Sequence, residues 1–356
     1  MFIVTYSHKM EKSLIMWHNK TMTKIVFYDV TETESKIFDS LKAENEVVFI
    51  KDSINQDNIV ADADVVSVFV SSTVSKEFVD RMSNLKLIAC RSTGFNNIDV
   101  SACKANNISI VNVPTYGERT VAEYTFALML ALSRKILPSV QQTMQGTIDS
   151  SLVHGHDLFG KTIGIVGLGR IGKNVARFAE AFGMKVLAFD PLAKAEGLTE
   201  FNLSLVELPE LLLASDFVTV HAPLTDDNKH LFDSDKFAQM KQGSIFINTA
   251  RGELMVTKDL IDALQSGHLA GAGIDVLEGE NLVDLNEEEI LLKKGRVSTE
   301  LLQEAVANNV LVKMPSAIVT AHNAYNTGEA IRRINTTTKE NIEAFLNGEI
   351  QNEVKS

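Results

Sequence analysis

The chain is poor in the features that mark several large classes of protein. It has only two cysteines, Cys90 and Cys103. That is too few for a disulfide framework, and their spacing matches no zinc motif. They read as reduced thiols of a cytoplasmic protein. No apolar run approaches the roughly 18 residues of a membrane helix, so no membrane span is expected. Basic residues are in deficit: 34 Lys and Arg stand against 46 Asp and Glu, a formal charge of −12. A general nucleic-acid binder needs the opposite surface, although a local basic pocket for a small anion remains compatible. Low-complexity tracts and repeats at a fixed period are missing too. The amino-terminal residues 1–21 carry Lys9, Lys12 and Lys20, but their apolar run 14–17 is too short for a signal-peptide core. They are expected to be a disordered extension or the product of an upstream start codon rather than a presequence.

What is present is apolar material, 45% of 356 residues, enough for two buried cores. Short β-branched runs alternate with helical patterns, as in parallel α/β proteins. Strands are expected near residues 24–28, 47–50, 65–70, 85–90 and 109–113. A second series is expected near 161–166, 185–189, 217–220, 244–248, 270–276 and 317–320. Helices fit 33–42 and 75–82. The segment 120–137, rich in Ala, Leu and Phe, reads as one long helix crossing between domains, with Pro138 restricting its continuation. Its stretch 124–132 is a candidate dimer surface or, equally, a face buried within the monomer.

Residues 161–172 read KTIGIVGLGRIG, an apolar strand running into Gly167, Gly169 and Gly172. In a dinucleotide loop the first Gly makes the tight turn and the second lets the pyrophosphate approach the backbone. The third allows close helix-to-strand packing. The following helix shows Ile171, Val175, Phe178, Ala179 and Phe182 on one face, and its N-terminus would offer N–H groups to an anion. Asp190 ends the next strand, KVLAFD, about 20 positions on, where a carboxylate would accept the adenosine ribose hydroxyls. Its charge would repel a 2′-phosphate. NAD is therefore expected rather than NADP.

Three further turns follow strand ends, where open α/β sheets bind ligands. They contain NTARG with Arg251, AGIDVLEGE with Asp275 and Glu280, and IVTAHNAYN with His322. An Arg can grip a carboxylate through two parallel bonds and polarise a neighbouring keto oxygen. An imidazolium can donate a proton, and a carboxylate beside it favours the charged ring. Position alone leaves His221 open beside His322. The His154–Gly155–His156 pair fits an exposed loop better than a metal site, so no metal is expected.

Together, GLGRIG, HAPLT, NTARG, GAGIDVLEGE and VTAHNAY, in this order from residue 22 to 348, resemble the D-isomer-specific 2-hydroxyacid dehydrogenase family. The resemblance implies a Rossmann NAD-binding domain (118–321) inserted into a flavodoxin-like substrate domain (22–117 and 322–356), both doubly wound with a cleft between. It implies a homodimer that takes a small 2-keto or 2-hydroxy acid. By position it assigns substrate binding to Arg251, acid/base chemistry to His322, and the carboxylate paired with that histidine to Glu280. Asp275 matches the residue near the nicotinamide. Arg170 and Ile171 in the loop, and the segments His221–Ala222–Pro223 and Thr249–Ala250, match the cofactor lining. Thr93 and Gly94 in RSTGFNNID match backbone donors to the substrate carboxylate, with helix capping by Asn97 or Asp99 as the plain alternative. Tyr116 and Tyr325 match substrate-contacting aromatics of the D-lactate branch. Asn281 replaces a proline common after the glutamate, and the charged segment 281–315 is long, with short helices expected over the active-site cleft. Both features fit the D-lactate branch. Phosphite-dehydrogenase-like chemistry and a non-catalytic NAD(H) sensor resembling the C-terminal-binding-protein corepressors are the competing readings. Formate-type enzymes fit less well because of Glu280.

Overall fold

The computed structural model describes residues 22–194, 198, 200–280 and 298–354. The expectations for residues 1–21 and for Asn281 with the EEEILLKK stretch lie outside the described residues. The chain divides into two compact units, 1–116 with 328–356, and 117–327.

The first unit holds five parallel strands: β1 (Lys24–Phe27), β2 (Glu46–Phe49), β3 (Val65–Val68), β4 (Leu87–Cys90) and β5 (Ser109–Val111). Their order, β2-β1-β3-β4-β5, is the flavodoxin-like doubly wound arrangement. β3 and β4 are buried at every position, which explains why they read as continuous apolar runs rather than alternating ones. The cap at Val100–Ala105 comes from Asp99, whose carboxylate accepts from Ala102 N–H at 2.9 Å. Asn97 instead donates to the carbonyls of Phe69 and Ser72.

Arg91, directly after β4, is fully buried. Its guanidinium donates to the carbonyls of Tyr28 and Asp29 and to Ser67 Oγ, so the desolvated charge is met by acceptors from β1 and β3. Burial lowers its pKa to about 10, still charged at neutral pH. The arginine ties together the strand ends from which the Ser92–Gly94 turn leaves the sheet.

The second unit holds β6 (Thr162–Val166), β7 (Lys185–Phe189), β8 (Leu203–Leu205), β9 (Phe217–Val220), β10 (Ser244–Asn248), β11 (Leu269–Ile274) and β12 (Ala317–Val319). All are parallel, in the order β12-β11-β10-β9-β6-β7-β8. This is the Rossmann order extended by one edge strand. β8 is absent from the sequence reading because three mostly exposed residues carry no periodic signal.

The expected long helix is two. Glu118–Ser133 ends at Arg134, Lys135 turns left-handed (φ 51°), and Ile136–Met144 follows. Pro138 lies in the first turn of the second helix, where its missing N–H costs nothing. Helix Glu118–Ser133 belongs wholly to the second unit and does not cross between units. In the 124–132 stretch Ala127 is exposed and Tyr124, Leu130 and Ala131 are half-buried, while Ala122, Phe126, Leu128, Met129 and Leu132 are buried in that unit's core. Each such large side chain contributes about 1.5–3 kcal/mol to folding.

The return to the first unit falls at Gly328 rather than at His322. The turn that carries His322 is hydrogen-bonded to Asp275, which holds it in the second unit. Beyond the undescribed stretch, helix Thr299–Val312 contains the expected TELLQEAV pattern. It packs against helix Thr257–Gln265 and β12.

Candidate active site

The glycine loop joins β6 to helix Arg170–Ala181, and its three glycines differ in what surrounds them. Gly167 is left-handed (φ +95°), and a Cβ there would lie 2.6 Å from Ala222 N and 2.7 Å from the His221 carbonyl carbon. At Gly172 a Cβ would lie 2.1 Å from the Gly167 carbonyl oxygen. These two are glycine because backbone meets backbone. At Gly169 a Cβ would meet nothing within 4 Å. The space over Gly169 is open to a ligand, at the N-terminus of a 12-residue helix. Arg170 and Ile171 form the first turn of that helix, and Ile171 packs on the core.

Asp190 follows β7. Its carboxylate accepts from Leu168 N–H at 2.7 Å and Leu192 N–H at 2.8 Å, which fixes it beside the loop. It lines a groove of about 320 Å³ together with Leu168, Lys173, Leu192, Ala193, Lys194 and Leu198. His221, after β9, is buried, and burial depresses its pKa to about 3, so the ring is neutral. Its Nε2 meets Thr219 Oγ at 2.9 Å, while the buried Nδ1 has no protein partner among the described residues. An open glycine, a fixed carboxylate and an orphaned ring nitrogen fit a bound dinucleotide along the carboxyl ends of β6, β7 and β9. Ala222 and Pro223 continue from His221, with the Pro223 carbonyl accepting from Asn228.

Across the same sheet edge, β10 ends in Asn248, a residue the sequence reading passed over. Its amide accepts from Ala250 N–H at 3.0 Å and donates to the Arg251 carbonyl at 2.8 Å, shaping the turn 249–251. Thr249 is held by Thr125 Oγ at 3.2 Å. Arg251 Nη1 donates to the Ala250 carbonyl at 2.6 Å.

His322 occupies the left-handed region (φ 47°), which a non-glycine residue adopts only when its surroundings impose it. Asp275, buried at the end of β11, supplies the imposition. Its carbonyl accepts from His322 N–H at 2.9 Å. Its carboxylate accepts from Thr320 Oγ (2.5 Å), Asn323 N–H (2.8 Å) and Ala324 N–H (2.8 Å). In the described structure this carboxylate therefore serves the histidine turn.

The half-exposed His322 ring meets Glu280 through Nδ1 at 3.0 Å from Oε2, and Glu280 Oε1 accepts from Leu277 N–H at 2.9 Å. Burial opposes the charged imidazole, but the bond to Glu280 and the charges of Glu280 and Asp275 outweigh it. The net shift of the His322 pKa is upward, with Arg251 acting against it. Tyr325 stands edge-on to the ring, 6.2 Å between centroids.

The structure thus gathers Arg251, Asp275, Glu280, His322 and Tyr325 in the second unit, at the carboxyl ends of β10 to β12. Of the two histidines left open by position, His322 has the carboxylate partner and His221 is buried and neutral. Thr93, Gly94 and Tyr116 lie in the first unit. Thr93 Oγ donates to the Val113 carbonyl, Ser92 Oγ to the Gly94 carbonyl, and the Tyr116 carbonyl accepts from Arg333. His154 and His156 are exposed, and among the described residues no cluster of three or more His, Cys, Asp or Glu could hold a metal.

A Rossmann unit with a histidine–carboxylate pair and an arginine at its strand ends defines a nicotinamide-dependent oxidoreductase class. Comparison with known proteins places the chain within it. Residues 126–324 match the family model of the D-isomer specific 2-hydroxyacid dehydrogenase, NAD binding domain. The chain is 36% identical over 329 residues to 2-hydroxyacid dehydrogenase homolog 1 of Schizosaccharomyces pombe, covering 90% of this chain and 96% of the relative. It is 34% identical over 288 residues to the D-lactate dehydrogenase of Escherichia coli, covering 80% and 84%. The structure of D-lactate dehydrogenase from Aquifex aeolicus, complexed with NAD and lactic acid, superposes with TM-score 0.79 at 32% identity over 91% of this chain and 96% of that one. The chain belongs to the D-isomer specific 2-hydroxyacid dehydrogenases, and its cofactor is NAD.

Proposed function

We propose that the protein reduces a small 2-keto acid of the pyruvate type to the D-2-hydroxy acid, and runs the reverse reaction when the hydroxy acid is in excess. The observation that carries this reading is the Nδ1 contact of His322 with Glu280, 3.0 Å, beside Arg251 on the next strand end but one. When bound, NADH supplies hydride to the keto carbon. Arg251 grips the substrate carboxylate and polarises the keto oxygen. His322, held charged by Glu280 and Asp275, donates its Nε2 proton to that oxygen, and takes a proton back in oxidation. Glu280 fixes the ring's orientation and stabilises the imidazolium. Tyr325 stands beside the ring, where an aromatic edge selects small side chains on the substrate. Thr93, Gly94 and Tyr116 are assigned to the substrate by resemblance alone. D-lactate dehydrogenases and a pyruvate reductase among the relatives support the substrate class.

The same reading includes a homodimer. Ile136, Leu137, Val140 and Met144 expose apolar side chains on the helix after Lys135. A face of this kind is characteristic of subunit contacts. Both cysteines are buried free thiols, which suits the reducing cytoplasm.

The deciding experiment is a kcat/KM panel of pyruvate, 2-ketobutyrate, 2-ketoisocaproate, phenylpyruvate and glyoxylate with NADH and NADPH, with chiral analysis of the product. D-configured product from a small keto acid with NADH is expected. NADH binding without turnover of any acid would mark a sensor, and phosphite-dependent NAD reduction would mark a different dehydrogenase. Either result refutes the proposal.

A further inference from the structure

Two residues outside the catalytic set connect its parts. His230 lies in the loop after β9 with a left-handed backbone (φ 56°). Its N–H donates to the Glu253 carbonyl at 2.7 Å, in the turn Gly252–Leu254 that begins beside Arg251. Its Nε2 lies 2.7 Å from Glu278 Oε2, two residues before Glu280. Lys229 Nζ reaches the other Glu278 oxygen at 3.2 Å, and the buried Asn308 donates to the Glu278 carbonyl at 2.8 Å.

The backbones of the two catalytic segments also touch. A Cβ on Gly252 would lie 2.1 Å from the Leu277 carbonyl carbon and 2.2 Å from Glu278 N. Leu277 N–H is the donor that orients the Glu280 carboxylate. The arginine turn and the glutamate loop are thus in backbone contact at Gly252, and His230 clasps them from outside.

We propose that His230 and Glu278 are a positioning pair that fixes the Glu280 loop against the Arg251 turn, and so sets the alignment of the carboxylate-gripping and proton-donating groups. The inference rests on the reading of His322 as the acid/base.

The charges around the pair favour a lasting contact. Burial would raise the Glu278 pKa, but the bonds and charges of His230 and Lys229 outweigh it and hold the carboxyl below the usual range. Glu304, on helix Thr299–Val312, faces the same carboxylate. Its own pKa is raised by burial and by Glu278, with Asp259 acting in the same direction and Thr257 and His230 against it. Glu278 is therefore ionised at neutral pH. Its side chain is 16% exposed against 39% for His230. Water competes only partly for the contact.

The test compares Glu278→Ala, Glu278→Gln, His230→Ala and the double alanine variant. Four quantities are measured: kcat and KM for keto-acid reduction, its pH profile, NADH affinity, and the titration of His322 by NMR in the cofactor-free protein. A displacement of about 1 Å between reacting groups costs on the order of a hundredfold. Glu278→Ala and His230→Ala should each lower kcat by roughly ten- to a hundredfold with NADH affinity retained. In both, His322 should titrate at lower pH and the upper pH limb of reduction should move down with it. The double variant should be no worse than the worse single, because each change breaks the same clasp. Glu278→Gln, which still accepts from His230, should recover part of kcat. His230→Ala, on a half-exposed loop, carries the test if Glu278→Ala does not fold. Parent-like kcat, pH limb and His322 titration in the alanine variants overturn the proposal, even if thermal stability falls. So does a double variant whose losses multiply. If the parent reduces no keto acid, the functional reading falls alone, and the His322 titration still decides the clasp.

Discussion

Gly169→Ala separates binding from folding more cleanly than any other change in the nucleotide loop. Gly169 has φ −70° and ψ −159°, an ordinary extended conformation, and a Cβ placed on it meets nothing within 4 Å. The alanine therefore fits the cofactor-free fold without a clash. It gives up some N-cap preference, at most about 1 kcal/mol, while restricting the unfolded chain returns about 0.4–1 kcal/mol. The two terms nearly cancel, so the melting temperature of the cofactor-free protein should move by no more than about 4 °C. The same methyl group occupies the space that the pyrophosphate must enter to reach the loop N–H groups. Loss of one or two hydrogen bonds to a charged group, at about 1.5–3 kcal/mol each, predicts a rise in the NADH Kd of at least about tenfold. Gly172→Ala is the contrast: its Cβ, 2.1 Å from the Gly167 carbonyl oxygen, forces backbone apart and should cost about 1–3 kcal/mol of stability. Fluorescence titration with NADH and thermal unfolding without it read the two effects. NADH affinity in Gly169→Ala within twofold of the parent would refute the placement of the pyrophosphate, and a melting temperature lowered as far as in Gly172→Ala would refute the open-space argument.

Three further outcomes are expected. His322→Ala should abolish keto-acid reduction, to less than about a hundredth of the parent rate, with NADH binding nearly intact; loss of NADH binding instead would place the residue in the cofactor site. In Glu280→Gln the charge that raises His322 is gone, so the protonated ring is lost at lower pH. The upper limit of reduction should then move down and the lower limit of hydroxy-acid oxidation should move down with it, and an unchanged pH profile would remove Glu280 from this role. Asp190→Asn keeps an acceptor for only one of the Leu168 and Leu192 N–H groups, which bond different carboxylate oxygens, and removes the charge that repels a 2′-phosphate, in a groove that already holds Lys173 and Lys194. The NADH-over-NADPH preference in kcat/KM should fall by roughly tenfold or more, and a preference unchanged by the substitution would count against the ribose assignment.

The parallel sheets were legible because buried strands are written as β-branched runs, and eleven of the twelve described strands fall where those runs lie. β8 was not, since LSL at a sheet edge buries too little to leave a pattern. The break at Lys135 escaped notice for a different reason. A lysine rather than a glycine takes the left-handed turn, and Pro138 stands three residues beyond it, so the apolar stripe runs unbroken from 120 to 137. Within the site, Gly167 and Asp190 stand out through the strand–loop–helix–strand pattern, whereas Arg251, Glu280 and His322 stand out only as an ordered set of motifs resembling the family, because strand ends alone leave His221 open beside His322. Asn248, His230 and Glu278 do not stand out, because their work is to hold other residues, and a holding role depends on contacts between segments that sequence order does not reveal. Asn248 did leave one trace: it is a polar residue at the buried end of the strand SIFIN, where an unbonded amide would be costly.

The register of three neighbouring strands explains why the chemistry assembles at all. Asn248 pairs with Ile274, and Ile274 with Val319, so β10, β11 and β12 end in step. Parallel strands about 4.8 Å apart then release three turns from one edge, all on the carboxyl side. The next backbone bond, from Asp275 N–H to the Asn248 carbonyl at 2.9 Å, continues the ladder one residue past the strand. From that bond the two sides diverge: the Asn248 amide shapes the turn that carries Arg251, and the Asp275 carboxylate shapes the turn that carries His322. The left-handed strain at His322 costs about 1–3 kcal/mol, and Asp275 answers it with three charge-assisted hydrogen bonds. A slip of one residue in either strand would turn Asn248 or Asp275 to the opposite face and release both turns. The backbone placement of the arginine and histidine turns is therefore a consequence of sheet register, enforced by two buried polar side chains, and the Glu280 contact then orients the His322 ring on its turn.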